Sequence, residues 1–156
     1  MAIHGVSHVG LCVADLDRSV RFYCDGLGFE LLRSFDIGGE PWTRVLELDP
    51  LLLHSRILRR DGLTIELLQF EQPGHVGPAE RRPMNQLGFT HLAVWGDDID
   101  GEAARVVELG GTIVEPTRVE FDQPTLQARW LYCTDPDGTR IELIEHPAGE
   151  AVALAR

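Results

Sequence analysis

An α+β fold, two tandem βαβββ modules forming a curved mixed sheet, is predicted for this chain by three observations. The sequence repeats itself at long range, each copy carries an Asp-capped amphipathic segment, and each copy closes on an Asp-Gly hairpin signal. A repeat constrains topology more strongly than local propensity does, because one unit must then solve the folding problem twice.

The repeat comes first. A shift of 83 residues lays His8-Val9-Gly10-Leu11 on His91-Leu92-Ala93-Val94, Asp15-Leu16-Asp17 on Asp98-Ile99-Asp100, and Gly28 on Gly111. Further along the best shift is 76, which matches Asp61-Gly62 to Asp137-Gly138 and Ile65-Glu66-Leu67-Leu68 to Ile141-Glu142-Leu143-Ile144. The first copy therefore carries about seven additional residues, placed between 36 and 52, where Gly38-Gly39 and Asp49-Pro50 signal turns.

Within each copy the elements follow in order. A mixed apolar strand is expected over 6–13 and over 89–95. Asp15 and Asp98 then suit helix N-caps, since a short side-chain oxygen there accepts from an otherwise unpaired amide. Leu16, Val20 and Tyr23 or Cys24 recur at helical spacing in the first copy, and Ala103, Val106, Val107 and Gly110 in the second. Gly28 and Gly111 are expected to end these helices. Three strands close each copy, the last two joined at Asp61-Gly62 or Asp137-Gly138, dipeptides that tolerate positive φ in tight turns. The first module is expected over residues 1–72 and the second over 88–147, with a Pro/Gly-rich linker at 73–87 and a loose tail at 148–156.

Composition narrows the function. With 44% apolar and 25% charged residues in 156, the chain can bury a real core. A net charge of -11 argues against nucleic acid as partner, because neutralising phosphates needs clustered Lys and Arg. Arg59-Arg60 and Arg81-Arg82 are the densest basic stretches; they read as solvated turns that could hold a local anionic group on a substrate. Cys12, Cys24 and Cys133 lack the spacing of a disulfide framework or a thiolate metal site and are expected to be reduced. Neither a signal peptide nor a membrane-length apolar run is apparent, so a cytoplasmic protein is expected.

Alternation along the strands picks out the candidate site. If Ile65 and Leu67, with Ile141 and Leu143, pack under the helices, then Glu66 and Glu142 turn to the opposite face. By the same argument Val9, Leu11 and Val13, with Leu92 and Val94, face the helices, and His8 and His91 share the face of the glutamates. Any one of the four would by itself read as a hydrogen-bonded core histidine or a solvent-facing glutamate. Four at matched repeat positions call for one cause, and a carboxylate inside an apolar strand is costly unless paired or bound to a cation. The set His8, Glu66, His91 and Glu142 suits one divalent ion among Zn, Ni, Co, Mn and Fe, with open positions left for water or substrate oxygens. Phe70, Trp95 and Leu68 fall on the same face and would line an apolar and aromatic pocket.

The stretches SHVGLCVADLDRSVRFYCDGLGFELL, DGLTIELL, FTHLAVWGDDID and DPDGTRIELIEH resemble the vicinal-oxygen-chelate superfamily. That superfamily includes glyoxalase I, methylmalonyl-CoA epimerase, extradiol dioxygenases and bleomycin-resistance proteins. The resemblance implies that His8, Glu66, His91 and Glu142 match the ligand positions of bacterial-type glyoxalase I, and that the chain forms a homodimer acting on a small molecule. It implies a lyase or isomerase that abstracts a proton next to a carbonyl, with the metal as Lewis acid stabilising the enolate and Glu142 or Glu66 as base. Glu47 is a further candidate base. The other branches imply an Fe(II) ring-cleaving dioxygenase, or a non-catalytic binder of the antibiotic-resistance kind. Glutathione-using members tend to carry Arg and Asn where this chain has Cys12 and Phe70, which argues against glutathione as the thiol carrier.

Overall fold

The structure, a computed structural model, describes residues 2–124 and 126–146. The chain divides into two compact units, Met1–Pro78 and Ala79–Arg156.

In the first unit β1 (Val9–Cys12) leads to α1 (Leu16–Arg21), which runs on into a π turn at Phe22–Gly26. Then come β2 (Glu30–Gly38), the short α2 (Trp42–Leu46), β3 (Leu52–Arg60) and β4 (Leu63–Gln72). The sheet order is β1-β4-β3-β2, with β1 parallel to β4 and the remaining pairs antiparallel. Asp15 caps α1 by accepting from the Arg18 amide at 2.9 Å, as its side chain foretells. Leu16, Ser19, Phe22 and Tyr23 are buried, and α1 packs on β3 and β4 over Leu58, Ile65 and Leu67. Each such buried Leu or Ile contributes about 1.5–3 kcal/mol by leaving water.

In the second unit β5 (Leu92–Gly96) leads to α3 (Ile99–Glu108), then β6 (Thr112–Ile113), a 3-10 turn (Glu115–Thr117), β7 (Val119–Gln123), β8 (Leu126–Thr134) and β9 (Arg140–Glu145). The order is β5-β9-β8-β6, and β7 pairs with β8 beyond β6. The first of the three closing strands is thus broken in this unit. Pro116 in the turn lacks the amide a continuous ladder would need. Asp98 caps α3 at the Gly101 amide, 3.0 Å away. The buried face of α3 is Ile99, Ala103 and Val106.

Four local expectations need correction. The opening strands begin at Val9 and Leu92, so His8 and His91 sit one residue before them rather than inside. Val107 is 55% exposed, at the edge of the buried stripe formed by Ile99, Ala103 and Val106. The glycine that turns left-handed after α3 is Gly110 at φ 88, one residue earlier than Gly111. The first hairpin is a two-residue turn with Asp61 at φ 47 and Gly62 at φ 84. The second spans five residues between Thr134 and Arg140, where Asp135 accepts from the amides of Asp137 and Thr139 at 2.9 and 2.7 Å. The seven extra residues lie around α2, while the expected tail falls outside the described residues. Among the described residues no disulfide joins the three cysteines, and no helix is long and apolar enough to cross a membrane.

Candidate functional site

Register decides which side chains share a face. In the first unit Gly10 lies beside Glu66 and Cys12 beside Leu68, while Val9 and Leu11 lie beside Ile65 and Leu67 on the helix side. In the second unit Ala93 lies beside Glu142 and Trp95 beside Ile144, with Leu92 and Val94 beside Ile141 and Leu143. Each carboxylate therefore has a residue with almost no side chain next to it, and beside Gly10 the Leu68 side chain reaches to 3.2 Å of where a Cβ would stand.

Each unit brings one histidine to its glutamate. His8 Nε2 lies 3.0 Å from Glu66 Oε2, and His91 Nε2 lies 3.2 Å from Glu142 Oε2. The carboxylates are the covered members, at 14% and 11% side-chain exposure, and the imidazoles the open ones, at 42% and 28%. Among the described residues no group of three or more His, Cys, Asp or Glu side chains is assembled into one cluster.

The atoms turned away from each His–Glu contact are also held, in the same way in both units. Ser7 Oγ is 3.0 Å from His8 Nδ1, and Thr90 Oγ1 is 3.0 Å from His91 Nδ1. Ser55 donates to Glu66 Oε1 at 2.6 Å, and Tyr132 donates to Glu142 Oε1 at 2.9 Å. The two donors reach their carboxylates differently. Tyr132 stands directly across from Glu142, whereas Ile57 stands across from Glu66 and Ser55 comes in diagonally. Burial and the Glu142 carboxylate push the Tyr132 phenol up to about 12, so at neutral pH it is a donor.

Such outer hydrogen bonds are compatible with a metal-ligating role for each pair. A hydroxyl at Nδ1 can accept a hydrogen bond from Nδ1–H and so leave the Nε2 lone pair outward, and a hydroxyl donating to Oε1 leaves Oε2 as the available oxygen. Each pair, one imidazole and one carboxylate without thiolate, is of the ligand type that suits a borderline-to-hard divalent ion. Those four hydroxyl residues were missed from the sequence. Ser7 and Thr90 obey the shift of 83 and could have been found by it; Ser55 and Tyr132 could not, because the hairpins between them and their glutamates differ in length.

Leu68 and Phe70 are half-buried on the face of Glu66, Cys12 is exposed there, and Trp95 is 62% exposed on the face of Glu142. Trp130 and Tyr132 add aromatic surface to the second unit, with Phe121 edge-on to Trp130 at 4.9 Å. Glu47 is exposed at the C-terminal cap of α2, at φ 56. It belongs to neither His–Glu pair.

Comparison with known proteins agrees with this architecture. The chain is 31% identical over 150 residues to a 2-epi-5-epi-valiolone epimerase of an Actinomyces species, covering 92% of this chain and 80% of that one. It is 30% identical over 139 residues to a probable lactoylglutathione lyase of Synechocystis, covering 88% and 92%. Among solved structures, a glyoxalase family protein from Bacillus cereus superposes with a TM-score of 0.80 at 23% identity, over 93% of this chain and 95% of that one. Residues 5–143 match the model of one family, and the chain accordingly belongs to the Glyoxalase/Bleomycin resistance protein/Dioxygenase superfamily.

Proposed function

We propose that this chain is a divalent-metal-dependent lyase or isomerase that removes a proton from a carbon next to a carbonyl, with His8, Glu66, His91 and Glu142 as the metal ligands. The observation that carries the reading is the duplicated His–Glu contact, each pair with its remaining nitrogen and oxygen engaged by hydroxyls. Two isolated ion pairs would not need the same four-part arrangement built twice. The pairs lie in different units, so the reading requires both to serve one ion, within a chain or between two copies of a homodimer.

A divalent cation bound there would supply Lewis acidity to the substrate oxygens and lower the cost of the negative charge that develops. The residues do the rest. Glu142 and Glu66 are the two bases, each largely buried and steered by a hydroxyl on Oε1; whichever carboxylate acts would take the proton from carbon on Oε2 while that oxygen is not serving as a ligand. Having one carboxylate in each module suits epimerisation, in which a proton leaves one face of a carbon and returns to the other. The epimerase relative supports that branch. Cys12 and Phe70, both on the face of Glu66, give an apolar environment in place of the polar groups that a glutathione carrier would meet.

Metal analysis of purified wild type, His91→Ala and Glu142→Gln is the test of the site. The wild type is expected to hold a divalent ion and both variants to lose it; full retention in both would sink the assignment. Deuterium wash-in from solvent to 2-oxo thioesters and hemithioacetals then tests the chemistry. Exchange abolished by Glu142→Gln is the expected result, and absence of exchange with every carbon acid offered would count against proton transfer.

A further inference from the structure

The second unit contains a charged cluster that the proposed chemistry does not use. Arg140 lies two residues before Glu142 on the same face of β9, directly across from Thr134, and is only 6% exposed. Its guanidinium stacks over the Tyr132 ring at 5.4 Å, and its Nη2 donates to the Arg82 carbonyl at 2.8 Å. Among the described residues no carboxylate lies within ion-pair distance of it. That is unusual in a chain with 25 acidic and 14 basic residues, where Arg118 and Arg129 each pair with two carboxylates. A buried cation without an anion is among the more expensive things a fold can hold.

Arg81 is brought to the same place. Its neighbours are pinned: the Glu80 backbone lies so close to Gly138 that a Cβ there would come within 2.6 Å, and Arg82 is held by Arg140. Gly138 adopts φ 87, so only glycine accepts both the turn and the contact. Arg81, Thr112, Thr134 and Gly138 line an open cavity of about 370 Å³. Asp135 also lines it, but its carboxylate is engaged by the Asp137 and Thr139 amides. Holding the linker needs one N–H donor on Arg140 and no charge on Arg81. Arg81 and Thr134 line that cavity; Arg140, across the ladder from Thr134, does not line it but is close enough to Arg81 for the two charges to oppose one another. Like charges held together beside a hydroxyl are what an oxyanion stabilises.

We propose that Arg81 and Arg140, with the Thr134 hydroxyl, form an oxyanion subsite that receives a phosphoryl or carboxylate group of the substrate. On an extended strand, Arg140 and Glu142 are about 7 Å apart along the chain. The anionic group therefore sits a few bonds from the carbon that loses its proton. That link to turnover rests on the function proposed above, whereas binding of the anion does not.

The test is titration of the full-length protein, stripped of metal and again after loading, with inorganic phosphate and with acetate. Arginine Nε–Hε resonances and calorimetry report binding. In both forms Arg81 and Arg140 are expected to shift saturably, and Arg81→Gln and Arg140→Lys should each weaken binding by about tenfold or more. Arg81 is exposed, so its variant should fold even if the Arg140 variant does not. Tighter phosphate identifies a phosphoryl group and tighter acetate a carboxylate. The subsite is overturned if neither anion shifts these arginines, if Arg81→Gln binds as well as wild type, or if binding appears only with metal. Since the metal-free arm does not depend on the ligands, a negative result there leaves the metal site untouched.

Discussion

The Tyr132 hydroxyl donates to Glu142 Oε1 at 2.9 Å while His91 Nε2 approaches the other oxygen of the same carboxylate at 3.2 Å, so one carboxylate is divided between a phenol and an imidazole. Tyr132→Phe removes the donor but keeps the ring that packs edge-on to His91 at 5.5 Å. Metal affinity, measured by competition with a chromophoric chelator, is expected to fall about 10–100-fold. Because Glu142 Oε1 is left buried without its donor, stability of the metal-free protein should fall by about 1–3 kcal/mol. Ser55→Ala should act in the same direction on Glu66. Unchanged affinity in both variants would show that the hydroxyls play no part in ligand placement.

Metal removal should destabilise the protein by mass action. With free metal at 100 times its Kd, the native state gains about 2.7 kcal/mol over the stripped protein. The gain is read as a rise in Tm on adding metal after chelation. His8→Ala and Glu142→Gln should show none of it, and a Tm indifferent to metal in the wild type would contradict the proposed centre.

The core makes a separate prediction. Leu143 is 1% exposed beneath α3, so Leu143→Ala should cost about 2–5 kcal/mol, read from denaturant midpoints. Val107 looks equally apolar in sequence but is 55% exposed, and Val107→Ala should stay within about 0.5 kcal/mol. Equal costs at the two positions would mean that α3 presents a different face.

His54 governs a pH effect away from the site. Its Nδ1 meets Asp36 Oδ1 and its Nε2 meets Glu71 Oε2, both at 2.8 Å, bridging β2 and β4 across β3. The hydrogen bond to Glu71, then that to Asp36, raises its pKa above the ordinary 6.5. A raised folded pKa means the stabilisation is fully present below 6.5 and is lost as pH rises through the folded value. Asp36, lowered chiefly by its bond to His54, stabilises above 3.8 and loses that contribution as pH falls through its depressed value. The Tm difference between wild type and His54→Gln should therefore be largest on the acid side of neutrality and shrink toward alkaline pH. A difference that grows with pH would refute the bridge.

The sequence alone determined the duplicated module, the Asp15 and Asp98 caps, and the strand faces that set Glu66 and Glu142 opposite Ile65, Leu67, Ile141 and Leu143. These are periodic or local properties: a side chain on an extended strand alternates faces whatever lies beyond it, and a capping oxygen finds its amide three residues on. Tertiary structure alone decided that Ser55 and Tyr132 meet the two carboxylates, that Pro116 breaks one strand and Gly110 ends one helix, and that Arg140 is buried near Arg81 with no counter-charge among the described residues. Each depends on which residues lie across a ladder or under a returning linker. Hairpin length and chain path set those distances, and hydrophobic periodicity carries no record of them.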